Sequence, residues 1–365
     1  YALAVYNRHE KRLRLYRDAS GQKPVYYYCN KAKLIFASEI KAILEDSSIQ
    51  REPDQEGIQW AARAGFIPSR HTMLEGINKL LPGEMLEWKH GRAGIRLTEL
   101  DPELPYVESE EGFGGWMRQL VREHLQSRQK VAISLSGGLD SSALLHEMRA
   151  QDYGITTYTS YYEDAPSESN SEAALARRLA KDYGTDHHEI KVTKRDYWSR
   201  FIRASQIIEE PNYNASNPLY LKMAESEGAD GDGIRVLLTG CGGDELFYGY
   251  PHHDQNHRID QWLRMMPACI LNRLYQLRYQ KKVKFECSIA RWAFNREVHE
   301  HYLLDSTENM ASGELEVEWA QKFLNNYSVS NEGVYNGLLM DRLFFLASEN
   351  FIRSDKLYMS QSIET

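Results

Sequence analysis

Two short apolar runs, each ending in a glycine-rich turn that carries a carboxylate, constrain this chain more than any other feature. Residues 131–135 lead into Ser136-Gly137-Gly138-Leu139-Asp140-Ser141-Ser142, and a helix-like run, 143–150, comes next. Residues 236–239 lead into Gly240-Cys241-Gly242-Gly243-Asp244-Glu245. Strand, glycine turn, helix is the order a phosphate site needs. Backbone N–H groups at the turn and helix start point at the anion, and the helix dipole adds positive potential there. Gly137 and Gly138 let the backbone come close, while Ser136, Ser141 and Ser142 add hydroxyl donors. A carboxylate beside phosphate, here Asp140, makes sense with Mg²⁺ between them. The first turn lacks the lysine and the spacing of a G-x-x-x-x-G-K-[ST] loop, which argues against a kinase or GTPase site. Two such strands in parallel would bring Asp140 and Asp244 to one sheet edge, where open α/β sheets bind ligands. Two carboxylates facing one triphosphate suggest shared Mg²⁺ ions.

The surrounding pattern predicts the sheet itself. Strands at 131–135, 156–161, 188–192 and 236–239 alternate with helices at 141–150, 172–183, 196–209 and 218–227. That alternation predicts a parallel, doubly wound sheet, and the apolar strands suit burial on both faces. The first hundred residues read instead as strands and turns. Residues 1–6 alternate like a core strand, and 13–16, 25–28, 33–37 and 85–88 are rich in strand formers. Short helices are predicted at 39–44 and, from an acidic cap, at 54–64. A proline- and acid-rich stretch around 98–111 reads as a linker, with a helix over 112–126 after it. The fold class is α/β in two domains, 1–100 and 112–365, joined by 101–111.

With both turns read, the chain resembles the glutamine-hydrolysing asparagine synthetase family. SGGLDSS resembles the family's pyrophosphate loop and TGCGGDELFYGY its second nucleotide loop. Three further segments agree, in family order. Residues 17–27 with 36–41 resemble the second half of its glutaminase domain, 184–189 a strand connection, and 355–365 a late synthetase segment. The resemblance implies an antiparallel Ntn-type glutaminase half followed by an ATP-pyrophosphatase domain. It implies ATP and Mg²⁺ as cofactors, a small-molecule carboxylate and glutamine as substrates, and a homodimer. The implied reaction is adenylation of the carboxylate followed by attack of ammonia, giving an amide, AMP and pyrophosphate. Asparagine synthesis is the default product. An amidotransferase acting on a sugar acid or natural product, a β-lactam- or lasso-peptide-type cyclase, and a non-catalytic remnant are the rival readings.

The resemblance also assigns residues. Ser136, Gly137, Gly138, Ser141, Ser142, Gly240 and Gly242 would hold the nucleotide phosphates, with Leu135 and Ser160 as neighbours at strand ends. Asp140 and Asp244 would hold Mg²⁺; the plainer reading of each acid is a helix cap. Cys241 departs from the family, which places an acid there in asparagine synthetases and a tyrosine in β-lactam-forming relatives. A thiol supplies neither a carboxylate nor a phenol, so an acyl acceptor other than aspartate is favoured, unless Cys241 is simply a small filler. Glu210 could orient substrate or ammonia, or merely end a helix. Lys356 and Glu364 face the active site in relatives, or form a surface ion pair.

Composition narrows the class. The 365 residues carry a net charge of −8, which lacks the basic footprint of a nucleic-acid binder. No apolar run approaches the roughly 20 residues of a membrane span. The four cysteines, Cys29, Cys241, Cys269 and Cys287, are sparse and form no C-x-x-C pair, so free thiols in a reducing cytoplasm are expected. His187 and His188 read as strand-entry structure. His253 and His257 share a helix face that is more simply solvated than metal-binding, and 273–284 reads as a basic surface helix. The chain starts without Met, mid-strand, and stops inside a family segment, so it is expected to be a fragment. The family's glutaminase cysteine would then lie upstream and its amide-forming lysine downstream.

Overall fold

The computed structural model describes residues 1–98, 109–151, 154–164, 167–228, 233–250 and 341–365. The chain forms two compact units, one of Tyr1–Cys241 with Phe344–Thr365, the other of Gly242–Leu343. His252, His253, His257, Cys269, Cys287 and the basic stretch 273–284 lie outside the described residues. No helix among the described residues is long and apolar enough to cross a membrane.

The first half of the larger unit holds two antiparallel sheets. β1 (Ala2–Asn7), β2 (Arg12–Arg17), β6 (Glu84–Lys89) and β7 (Arg92–Leu97) form one, in the order β1-β2-β6-β7. β3 (Tyr26–Cys29), β4 (Leu34–Ala37) and β5 (Ile77–Lys79) form the other, in the order β4-β3-β5. Leu15 of β2 and Leu86 of β6 meet Val25, Tyr27 and Leu80 in a shared core, and Cys29 packs at its margin. Period-2 alternation puts these apolar residues on one face of each strand. The other face of β3 is covered by α1 (Ile40–Ile43), where Tyr26, Ile40, Ile43, Ile49 and Ile77 pack together. α2 (Gln55–Ala64) starts as expected at Asp54, whose carboxylate accepts the Gly57 N–H, and stops at Gly65 in the left-handed region.

One expectation fails here. β1 is a strand but not a core strand: Tyr1, Leu3, Val5 and Tyr6 are all exposed. It lies at a sheet edge with β2 as its neighbour. Alternation marks a strand with two unlike faces; whether a face is covered depends on what else packs there.

The second half is the parallel sheet. α3 (Glu110–His124), capped by Ser109, precedes β8 (Val131–Ser134), α4 (Leu139–Ala150), β9 (Thr156–Tyr162), α5 (Ser167–Tyr183), β10 (Asp186–Val192), α6 (Lys194–Ile208), α7 (Asn217–Glu227) and β11 (Val236–Leu238). The strand order is β10-β9-β8-β11, and every pairing is parallel. His187 and His188 lie on β10, His188 stacking on Tyr158. Both faces of the sheet are covered. Ile133 and Leu135 pack with Val121, Leu145, Met148, Ala176 and Ala180 from α3, α4 and α5. Ala132 and Leu237 pack with Met223, Ala224 and Tyr358 on the opposite side. A π-type helix, Asp341–Asn350, runs into α9 (Phe351–Met359), which packs on α6 and α7 through Ile352 and Leu357. Beyond α9 the chain adds to the sheet edge: Leu237 donates its N–H to the Glu364 carbonyl, and Glu364 donates to that of Arg235, each at 2.9 Å. In the smaller unit, α8 (Gly243–Phe247) begins at Gly242.

Candidate active site

The sheet order determines where a ligand can sit. The strand order steps outward from β8 to β9 and β10 and then returns to the other side of β8 at β11, and such a switch point at the carboxyl ends of parallel strands is where open α/β sheets bind ligands. Both glycine turns leave the sheet at that point.

The first turn is built to leave backbone N–H groups at its surface. Leu135 is pinned on both sides, donating its N–H to the Tyr158 carbonyl at 2.8 Å and accepting from the Thr159 hydroxyl at 2.5 Å. Gly137 comes two residues later with φ +82°, and a Cβ there would stand 3.1 Å from both the Ala176 nitrogen and the Glu172 carbonyl of α5. Only glycine meets both conditions. Gly138, the N-cap of α4, has extended backbone and makes no side-chain cap hydrogen bond, and a helix start of this kind offers backbone N–H groups to an anion. The hydroxyls organise the turn: Ser136 Oγ lies 3.1 Å from Ser141 Oγ and accepts the Gly138 N–H, and Ser142 Oγ donates to the Gly138 carbonyl at 2.7 Å. Ser136 is exposed; Gly137 and Asp140 are half-buried. Ser160, half-buried, lies near the end of β9.

The second turn presses directly on the first. A Cβ on Gly240 would fall 2.9 Å from Asp140 Cβ and 3.1 Å from the Ser141 nitrogen. Such distances leave no room for a side chain. Cys241 is next, exposed and outside any disulfide among the described residues. Gly242 and Asp244 belong to the smaller unit. There Asp244 lies in the first turn of α8, accepts the Gly249 N–H on its carbonyl, and crowds Gly249 so closely that a Cβ would reach 1.9 Å from its carboxylate. The donors around the first turn are carboxylate and hydroxyl oxygens, the set a magnesium ion takes. Among the described residues no three His, Cys, Asp or Glu side chains converge. A magnesium ion held by Asp140 would draw its other ligands from phosphate and water, its usual manner of binding.

A second polar cluster flanks this edge. The segment after α6 reaches the end of β9, where Tyr162 donates its hydroxyl to the Ala215 carbonyl at 3.2 Å. Arg353 of α9 stacks over the Tyr220 ring, 4.5 Å from its centre, and donates to Ser216 Oγ and Asn350 Oδ1 at 2.6 Å each. Among the described residues its Nε has no hydrogen-bond partner, nor does Asn217 Oδ1. Glu349 is fully buried, its carboxyl 3.7 Å from Arg353 Nε. Burial raises its pKa, against the opposing pull of Arg353 and of Asn214 and Asn212. Burial likewise raises the Tyr220 phenol, with Arg353 opposing and Cys241 and Glu349 pushing the same way as burial. Buried polar groups of this kind are normally hydrogen-bonded, because each one left unsatisfied costs about 1–3 kcal/mol.

The remaining predicted residues lie elsewhere. Glu210, Lys356 and Glu364 are placed against the first half of the chain. Glu210 accepts from Lys79 and Tyr26, Lys356 donates to Glu209 at 2.7 Å, and Glu364 pairs with Lys23. Lys356 and Glu364 therefore do not form the surface ion pair considered from the sequence. Sequence reasoning missed Lys79, Tyr26, Lys23, Glu349 and Arg353. Lys79 carried one signal: it shares a strand face with Ile77 and is 1% exposed.

Comparison with known proteins divides along these two halves. The family described as asparagine synthase matches residues 115–365, and that described as a glutamine amidotransferase domain matches residues 1–97. A putative glutamine-hydrolysing asparagine synthetase 2 of Methanocaldococcus jannaschii is 28% identical over 278 residues, covering 73% of this chain and 52% of its own. Amidase chyE of Penicillium rubens is 29% identical over 278 residues, covering 68% of this chain and 39% of its own. Glutamine-hydrolysing asparagine synthetase 3 of Bacillus subtilis is 26% identical over 271 residues, covering 69% and 43%. The chain spans about half the length, or less, of these curated relatives.

Proposed function

This chain belongs to the asparagine synthase family, and on that premise we propose that it carries the nucleotide and acceptor sites of a glutamine-dependent amide ligase. The observation that carries this reading is the contact of the two glycine turns, Gly240 against Asp140 and Ser141. In a single crevice they offer backbone donors and a carboxylate to one polyphosphate.

The chemistry arises from what a carboxylate lacks. Its leaving group would be oxide, so ammonia cannot displace it directly. Attack of the carboxylate oxygen on the α-phosphate of ATP expels pyrophosphate and leaves an acyl-adenylate. Ammonia then adds to the acyl carbon and AMP departs, yielding the amide. The charge that grows on the departing pyrophosphate is met by the N–H groups of Gly137 and of the first turn of α4, with the hydroxyls of Ser136 and Ser142 beside them. A magnesium ion held by Asp140 would supply further charge compensation. Leu135 and Ser160 flank the nucleotide.

The acceptor site is assigned to the buried polar cluster of Asn217, Glu349 and Arg353, with Tyr220 stacked against Arg353. An exposed thiol at Cys241 favours an acceptor other than aspartate. Residues 1–97 are read as part of an Ntn-type glutaminase that delivers the ammonia. The test is pyrophosphate release from ATP by the intact protein, screened over carboxylic acids with ammonium or glutamine. Release that depends on one acid supports the reading; ATP turnover indifferent to every acid and amine overturns it.

A further inference from the structure

Glu209 and Glu210 leave the end of α6 side by side and enter the amidotransferase half. Glu210 accepts from the Tyr26 hydroxyl on one oxygen and from Lys79 Nζ, at 2.6 Å, on the other. Lys79 also donates to the Ile67 carbonyl at 2.7 Å. Glu209 accepts the N–H groups of Ile40 and Lys41 at 3.0 and 2.9 Å, and Lys356 holds the same carboxylate from α9. The backbone at Glu209 is left-handed, φ +63°, a conformation a residue with a side chain adopts only when its surroundings impose it.

Beyond Glu210 the chain becomes the wall of the acceptor pocket. Tyr213 donates its N–H to the Gly65 carbonyl at 3.1 Å, a second tie to the first half. Asn212 and Asn214 then turn toward Glu349, Ala215 meets Tyr162, and Ser216 meets Arg353. The segment 211–217 is therefore anchored at its start by Lys79 and Tyr26 and spends its remaining length on the pocket.

We propose that Lys79, with Tyr26, is a positioning residue for the ligase reaction, setting the acceptor-side segment 211–217 through Glu210. The inference rests on the proposed ligase function. It means that a side chain of the amidotransferase half governs acceptor binding even when no glutamine is used. The first glycine turn has its own anchors, Tyr158, Thr159 and α5, none of which contacts the pair, so the proposal leaves nucleotide binding at that turn unchanged.

The experiment measures pyrophosphate release by the intact protein with ammonium as nitrogen donor and no glutamine, comparing wild type, Lys79→Met, Lys79→Arg and Tyr26→Phe, each checked by thermal unfolding. Lys79→Met is expected to raise the acceptor KM by on the order of tenfold or more, a displacement effect, with the ATP KM within about twofold. Tyr26→Phe, which deletes one hydroxyl, shifts the acceptor KM the same way by less, and Lys79→Arg recovers part of the loss. An unchanged acceptor KM in a folded Lys79→Met or Tyr26→Phe protein overturns the proposal, as does an equal loss toward ATP and acceptor. If Lys79→Met does not fold, Tyr26→Phe decides alone. A wild-type protein inert toward every acid would instead mean that the functional reading itself is wrong.

Discussion

The Lys79 ammonium lies 2.6 Å from the Glu210 carboxylate, and the two side chains are 1% and 2% exposed. They are 131 positions apart in the chain. Burial pulls the Lys79 pKa down and Glu210 pulls it back up, with burial the larger influence. Charge this deep is costly to desolvate, and a pair of this kind commonly adds little net stability. It does define a unique arrangement, because either charge without the other would be far worse. Here it ties a strand of the antiparallel half to the segment that borders the parallel sheet's ligand edge.

At the ligand edge itself, Asp140 is assigned to the magnesium that shields the polyphosphate. Asp140→Asn keeps the shape and removes the charge. Acid-dependent pyrophosphate release should fall by about 100-fold or more, the scale on which lost charge stabilisation acts. Undiminished turnover would remove Asp140 from the site.

Gly240→Ala probes the contact between the turns. The new Cβ would lie 2.9 Å from Asp140 Cβ and 3.1 Å from the Ser141 backbone nitrogen, so one turn must move. Overpacking of this sort costs about 1–3 kcal/mol. Stability to urea should drop, and the stabilisation that ATP gives the wild type should shrink with it. Retention of the full ATP-dependent shift would show that the contact does not shape the nucleotide site.

Cys241→Ser tests the acceptor assignment. Cys241 is exposed and lies in the second glycine turn rather than the first. The substitution should change the ranking of acids in the release assay while leaving the ATP KM within about twofold. A parallel loss for acid and nucleotide would contradict it.

Acid stability has a traceable source at the start of α6. Thr193 donates both its hydroxyl and its N–H to Asp196 Oδ2, and the Thr193 N-cap in turn accepts the Asp196 N–H. The hydroxyl bond is the largest influence holding the Asp196 pKa down, from 3.8 to about 2. The folded value lies below the unfolded one. The stabilisation is therefore complete above the unfolded pKa and disappears as pH falls from about 4 through about 2. Thermal midpoints from about pH 5 to about pH 2 should fall less steeply for Asp196→Asn than for wild type across that window. Parallel curves would mean that Asp196 contributes nothing to acid sensitivity.

The parts legible from sequence were those with local causes. The strands and helices of the parallel sheet were placed within a few residues, because apolar runs, caps and glycine turns act over a handful of neighbours. β5 and β7 were not predicted: Ile77–Lys79 is three residues long, and Arg92–Leu97 is mostly exposed and carries little apolar pattern. Glu210, Lys356 and Glu364 were picked out by resemblance, yet no local rule placed them against the first half.

The order of apolar runs and glycine turns along the chain determined an α/β sheet with two glycine turns at its carboxyl edge, since each turn's conformation resides in adjacent residues. Only the tertiary structure decided that β1 is exposed, that Lys79 and Glu210 are buried together, and that Asn217, Glu349 and Arg353 meet. The physical reason is the same in each case. Burial and ion pairing are set by whichever distant residues arrive alongside, and a linear pattern carries no record of that distance.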